Sequence, residues 1–143
     1  TDKIFTFNGV DFYDDYAHHP TEIKSVLEGV KKVFDKFERV CIFQPHRISR
    51  LKDLRNEFIH CFKDADTIIL CPIFTAGEKI KLGFNYNDFA KEIIKNSKVK
   101  LFMIKNNIEL AKFLKQNIYG NKIVIGMGAG TISNWMKKLP ELM

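Results

Sequence analysis

Six short apolar runs, spaced by stretches long enough to be amphipathic helices, constrain this chain more than any other feature. Ile4 to Phe7 and Val10 to Asp14 flank Asn8-Gly9, a dipeptide that favours a type I′ hairpin turn. Pro20 or Thr21 then opens a helix in which Ile23, Val26, Leu27, Val30, Val33, Phe34 and Phe37 recur at i, i+3, i+4, i+7 spacing. Arg39 to Phe43 reads as a buried strand, and Ser49 as the N-cap of a helix with Leu51, Leu54, Phe58 and Phe62 on one face. Thr67 to Cys71 is a further strand, ended by Pro72. A glycine-containing stretch from Ile73 to Asn87 leads to a helix carrying Phe89, Ile93 and Ile94. Strand Val99 to Ile104, a helix from about Asn107 to Ile118, strand Lys122 to Ile125 and a helix from about Thr131 complete the pattern.

Strands joined through helices of about 10 to 17 residues pair in parallel, with right-handed crossovers. The expected fold is therefore α/β: one three-layer, Rossmann-like domain over residues 1–143. Its sheet should be mostly parallel, with about six strands, helices on both faces and room for an antiparallel edge from the hairpin. No repeat, low-complexity tract or interdomain linker interrupts it.

Composition narrows the function classes. Apolar residues make up 45% of the 143, so a disordered chain is excluded, and thirteen Phe against one Trp suggest a core filled by aromatic bulk. No run approaches the ~18 to 20 apolar residues of a membrane span, so no membrane partner is expected. The start, Thr1-Asp2-Lys3, shows no signal peptide and no initiator Met, and reads as a processed product or excised piece. Cys41, Cys61 and Cys71 lack metal-ligand spacing and are expected to be reduced, mostly buried thiols of a cytoplasmic protein.

The net charge of +6 raises a nucleic-acid reading, which the distribution opposes. Nineteen of the 23 basic residues are scattered Lys, without a basic groove interleaved by aromatics, so no nucleic-acid partner is expected. Of the four Arg, three fall within nine residues: Arg47, Arg50 and Arg55. Arginine grips carboxylate or phosphate through two parallel hydrogen bonds, so a local cluster in a lysine-rich chain marks an anion site.

In a parallel sheet the turns at the carboxyl ends of the strands carry ligands. Four are loaded, and parallel connectivity puts them on one rim. Asp14-Asp15-Tyr16-Ala17-His18-His19-Pro20 offers Asp15 to sugar hydroxyls and His18 to phosphate or carboxylate; the plainer alternative is that Asp14 or Asp15 merely caps the helix. Gln44-Pro45-His46-Arg47-Ile48-Ser49-Arg50 sets a His and two Arg at a helix N-terminus, an anion site unless they only pair with Asp53 or Glu57. Thr75-Ala76-Gly77-Glu78-Lys79 is the third. The fourth, Gly126-Met127-Gly128-Ala129-Gly130-Thr131, departs from a dinucleotide fingerprint in spacing, in following the last strand, and in leaving no room for the ribose-binding acid. Its glycines suit close backbone packing or ligand approach. His18, His19, His46 and the cysteines do not have zinc-site spacing, so no metal site is expected.

Asp14-Asp15-Tyr16-Ala17-His18-His19-Pro20-Thr21-Glu22, Phe43-Gln44-Pro45-His46-Arg47, Ala76-Gly77-Glu78 and Gly128-Ala129-Gly130 occur in the order and spacing of a known family. Over essentially its whole length the chain resembles the C-terminal domain of the Mur ligases, and Pro45-His46-Arg47 resembles the branch that adds L-alanine to UDP-N-acetylmuramate. The resemblance implies a three-domain enzyme, with an N-terminal UDP-binding domain and a central P-loop ATPase domain beside this one. ATP and Mg2+, held mainly by the central domain, would convert the lactyl carboxylate to an acyl phosphate, which the amine of L-alanine attacks. It further implies that Asp15 holds the ATP ribose and that His18 lies near the reacting phosphate and carboxylate. Tyr16 would border the alanine pocket, and His46, Arg47 and Arg50 would hold the alanine carboxylate. Ile48 stands where the family usually has an aromatic, which bears on a stacking contact and not on the charge pairing. No G-x-x-x-x-G-K-[ST] phosphate loop occurs in these residues, so the chain by itself is expected to be inactive. The alternative from another class is a free-standing module that binds a nucleotide or acidic metabolite.

Overall fold

A computed structural model describes residues 1–79 and 84–143; positions 80–83 of the expected Ile73–Asn87 stretch lie outside them. The order is β1 (Asp2–Phe7), β2 (Val10–Asp15), α1 (Pro20–Val33), β3 (Glu38–Phe43), α2 (Ile48–Asp53), α3 (Arg55–His60), β4 (Thr67–Leu70), α4 (Tyr86–Ser97), β5 (Lys100–Met103), α5 (Asn107–Asn117), β6 (Lys122–Met127) and α6 (Ile132–Leu142). The strands form one six-stranded sheet in the order β1-β2-β6-β3-β4-β5. β1 runs antiparallel to β2, and the other neighbours pair in parallel. Asn8 and Gly9 have φ of 51° and 76°, the double left-handed geometry that a type I′ turn requires.

Alternation along the strands sorts the core into two layers. Cys41, Phe43, Ile123, Ile125 and Met127 face α1, α2, α3 and α4, while Val40, Ile42 and Val124 face α5 and α6. Burying Ile23, Leu27 and Val30 holds α1 to the sheet, each such side chain contributing about 1.5–3 kcal/mol. Phe43 packs against Phe58 and Phe62 with ring centroids 5.9 and 5.2 Å apart, the aromatic core that composition suggested. All three cysteines are buried and unbridged. Among the described residues no helix is long and apolar enough to cross a membrane.

Two helices depart from the expected periodicity. α1 ends at Val33 instead of running to Phe37, because Arg39 donates from Nη1 to the carbonyls of Phe34, Asp35 and Phe37 and fixes them in a turn. The helix expected from Ser49 through Phe62 divides at Leu54, which ends α2 and starts α3. Beyond the break, Arg55 leans over the rings of Phe84 and Phe89 and pairs with Glu92 of α4 at 2.8 Å. Arg47, and not Ser49, occupies the N-cap of α2.

Candidate functional site

Backbone hydrogen bonds bring the four turns together at the carboxyl ends of β2, β6, β3 and β4. Gly128 donates its N–H to the Asp15 carbonyl (3.3 Å), Gln44 to Met127 (3.0 Å) and Cys71 to Phe43 (2.9 Å). The third turn closes on the second through Arg47 N–H to Phe74 O and Phe74 N–H to Pro45 O, both 2.8 Å. The rim inferred from parallel connectivity is thus continuous.

In the first turn neither aspartate caps α1. His19 is the N-cap: its ring nitrogen accepts from the Thr21 N–H at 3.3 Å, and Glu22 accepts from the His19 N–H at 3.1 Å. Glutamate three residues after the cap was the readable signal, masked because histidine is not a favoured cap residue. Asp14 instead accepts from the Ser133 hydroxyl of α6 at 2.6 Å. The Asp15 carboxylate accepts from the Ala17 N–H at 2.8 Å and from the Thr1 hydroxyl. Burial pushes the Asp15 carboxyl up, yet the Thr1 hydroxyl and the Ala17 N–H outweigh it and leave it below its ordinary value. His18 places Nδ1 2.9 Å from the Tyr16 carbonyl, and the Tyr16 side chain projects outward, 68% exposed.

The second turn is strained. Arg47 has φ 71° and ψ 132°, where a side chain costs about 1–3 kcal/mol unless surrounding structure holds it. The paired hydrogen bonds to Phe74 do so, and the His46 ring stacks on Phe74 with centroids 5.4 Å apart. His46 also meets His18 edge-on at 5.8 Å, joining the first two turns. Burial first, then the charges of Arg50, His18 and Arg47, hold the His46 imidazole below its ordinary value. His46 Nδ1 and Arg50 Nη1 are buried without a hydrogen-bond partner. Among the described residues neither Arg47 nor Arg50 forms an ion pair, so the alternative pairing with Asp53 or Glu57 is not formed. Arg55, third of the cluster, is turned away to Glu92.

The N-terminus of α2, expected to add its dipole to a ligand site, is already occupied from within the chain. The Glu78 carboxylate takes it, accepting from Ser49 Oγ at 2.5 Å and from Ser49 N–H at 3.4 Å. Anion binding here would rest on the side chains of His46, Arg47 and Arg50.

The fourth turn uses its glycines for packing. A Cβ on Gly126 would lie 2.7 Å from Met136, on Gly128 2.7 Å from Ile132, and on Gly130 2.5 Å from Phe74. Sequence reasoning missed Gln44, whose buried amide accepts from Ile132 N–H at 3.0 Å and donates to Thr131 Oγ1 at 2.8 Å. Nothing in the sequence marks this brace, since it spans 88 residues. A polar hollow of about 600 Å3 lies at the opposite ends of the strands, around Glu38, Arg39 and Asp66, away from all four turns. Among the described residues no three His, Cys, Asp or Glu side chains are grouped to hold a metal ion.

A mostly parallel sheet, with helices on both faces and with a carboxylate, two imidazoles and two arginines that form no ion pair among the described residues gathered at its carboxyl rim, places the chain in the doubly wound α/β class. Residues 2–130 match the family described as "Mur ligase, glutamate ligase domain", and the chain belongs to that family. It is 67% identical over 141 residues to the UDP-N-acetylmuramate–L-alanine ligase of Pelagibacter ubique, covering 99% of this chain and 30% of the relative. It is 37% identical to the ligase of the same name from Mesorhizobium japonicum, covering 95% and 29%. The chain therefore spans about three-tenths of the length of these relatives. Among solved structures, UDP-N-acetylmuramate–alanine ligase of Thermotoga maritima superposes with TM-score 0.70 at 25% identity, over 94% of this chain and 26% of that one. A murein peptide ligase from Psychrobacter arcticus superposes at 0.79 and 17% identity, over 99% and 29%, a likeness of fold alone.

Proposed function

We propose that this chain is the C-terminal, amino-acid-binding and ATP-closing domain of a three-domain ligase that joins L-alanine to UDP-N-acetylmuramate in cytoplasmic peptidoglycan synthesis. The observation that carries the reading is the meeting of the Asp15–His19 and His46–Arg50 turns, with His18 and His46 at 5.8 Å, in a chain whose relatives bear that ligase's name. In the relatives the matching segment is one part of a longer ligase, which favours this reading over a free-standing module.

In this reading Arg47 and Arg50 pair with the alanine carboxylate, with His46 completing its hydrogen bonds. Holding the carboxylate orients the amine, which turns a bimolecular encounter into a positioned attack. The amine nitrogen bonds to the acyl carbon, the tetrahedral centre gives its ammonium proton to water, and the C–O bond to phosphate breaks with its electron pair leaving on phosphate. His18 contacts the phosphate and carboxylate, Asp15 accepts from the ribose hydroxyls of ATP, and Tyr16 limits the alanine side chain. In this reading magnesium is held by the central domain and not by this one.

Arg47→Ala in the full-length ligase should raise the Michaelis constant for alanine roughly tenfold to a hundredfold, the loss of a charge-assisted bond worth about 1.5–3 kcal/mol. The constant for UDP-N-acetylmuramate should stay within about twofold. Equal losses for both substrates would make Arg47 structural and overturn its role. The 143-residue chain alone should show no alanine-dependent ATP hydrolysis, and measurable turnover would refute the three-domain reading.

A further inference from the structure

Ala76-Gly77-Glu78 is a motif shared with the family that the proposed binding roles leave unused, and its geometry gives it a task. α2 is six residues long, and its N-cap, Arg47, supplies no side-chain hydrogen bond to the exposed N–H groups of the first turn. Such a helix start needs an acceptor from elsewhere. Glu78 supplies it through Ser49 Oγ at 2.5 Å and Ser49 N–H at 3.4 Å. The turn that delivers Glu78 is itself specialised. Ala76 and Gly77 have φ of 52° and 84°, and Glu78 N–H closes on Thr75 O at 3.0 Å.

The same segment grips the other side of the arginine turn. Phe74 exchanges two 2.8 Å hydrogen bonds with Pro45 and Arg47, stacks under His46 and fills the space that only glycine leaves at position 130. Arg47, at φ 71°, is thus held from both ends: by Phe74 before it and by Glu78 just after it. A carboxylate here also opposes the positive charge that the ligand needs. Its value therefore lies in geometry, with its charge as a cost.

We propose that Glu78 is a positioning residue for amino-acid binding, fixing the start of α2 through Ser49 so that Arg47 and Arg50 reach the substrate carboxylate together. The inference rests on the alanine-binding role proposed for those arginines. The hydrogen bond from Ser49 also holds the Glu78 carboxyl below its ordinary value, as expected of an acceptor that is used while ionised.

The test measures the Michaelis constants of the full-length ligase for alanine and UDP-N-acetylmuramate, with Arg47→Ala as the reference. Glu78→Ala should raise the alanine constant on the order of tenfold, since small misplacement of a binding group costs up to about a hundredfold, with kcat and the UDP-sugar constant little changed. Glu78→Gln keeps one oxygen to accept from the Ser49 N–H, and its amide N–H can donate to Ser49 Oγ in place of the second bond, so it should stay within about threefold of wild type. Ser49→Ala removes the Oγ bond and leaves the N–H bond, so it should raise the alanine constant less than Glu78→Ala does, and the double variant should be no worse than Glu78→Ala alone. Additive losses, a Gln variant as impaired as Ala, or equal effects on both substrates would overturn the positioning role. If Arg47→Ala itself leaves the alanine constant unchanged, the alanine-site reading fails instead, whatever Glu78 does.

Discussion

Replacing Gln44 by leucine isolates the brace that joins the arginine turn to α6. The amide is 3% exposed and makes two hydrogen bonds, from the fully buried Ile132 N–H at 3.0 Å and to Thr131 Oγ1 at 2.8 Å. Leucine is apolar and no smaller in volume, though it branches one carbon nearer the backbone, so little cavity is created. The Ile132 N–H, however, is left in the core at a helix start with no acceptor, which costs about 1–3 kcal/mol. Loss of the bond to Thr131 adds roughly 0.5–1.5 kcal/mol, and the extra apolar burial offsets a part. The net expectation is a loss of about 1–4 kcal/mol, which for a domain of this size lowers the melting temperature by roughly 10 °C at the middle of that range.

Urea unfolding of the 143-residue chain measures it, with an unchanged slope marking a pure stability effect. Thr131→Val is the control. Thr131 is exposed, so water can replace its hydroxyl, and the loss should be under about 1 kcal/mol. A cost below about 1 kcal/mol for Gln44→Leu, or an equal cost for Thr131→Val, would refute the assignment, because most of the loss must come from the orphaned Ile132 N–H.

Two further expectations concern titratable groups. His46 should titrate below the ordinary histidine value near 6.5, and Arg50→Gln should move its midpoint upward, both read by NMR of the imidazole. Because the folded value is the lower one, the unfolded chain takes the proton first. This group's contribution to stability is therefore present at neutral pH and lost as pH falls through the ordinary value towards the folded one. A midpoint above 6.5 would contradict the burial and cationic neighbours assigned to it. Burial pushes the Cys71 thiol up to about 12 and also raises Cys41 and Cys61, so a thiol reagent at pH 8 should label the native chain slowly and all three once urea is added. Rapid native labelling would mean that the core opens readily.

Element type and order were legible because a parallel sheet buried on both faces writes itself as short apolar runs between amphipathic helices. The hairpin was legible because few dipeptides other than Asn-Gly suit two consecutive left-handed residues. Helix ends were less so. Phe34 and Phe37 keep helical spacing, but Arg39, from the following strand, captures the carbonyls that would have continued α1. Ser49 has the chemistry of an N-cap, yet Phe74, 27 positions beyond Arg47, draws the chain into a turn that starts α2 two residues earlier. At the rim, the residue types needed for a site were visible along the chain. The contacts between Gln44 and α6, and between Glu78 and α2, join segments 88 and 29 residues apart, and no local pattern encodes them.

On the proposed reading, the rim orients a ligand without enclosing it. Arg47 and Tyr16 project to solvent while their backbones are tied down, and the fixed parts of the site lie beneath them in the Phe74 stack and the Gln44 brace. An ion pair between an arginine and a substrate carboxylate gains little in water, because solvent screens it and competes for both partners. It strengthens only when a second surface excludes that water. A strained Arg47 is worth keeping in such a design, since strain of about 1–3 kcal/mol sets the direction of the guanidinium before the substrate arrives. In the proposed ligase, closure of this domain on its neighbours then has only to remove solvent. On these grounds the isolated chain should hold alanine weakly, and under the proposed reading the same arginines in the closed ligase would decide which end of the amino acid faces the acyl phosphate.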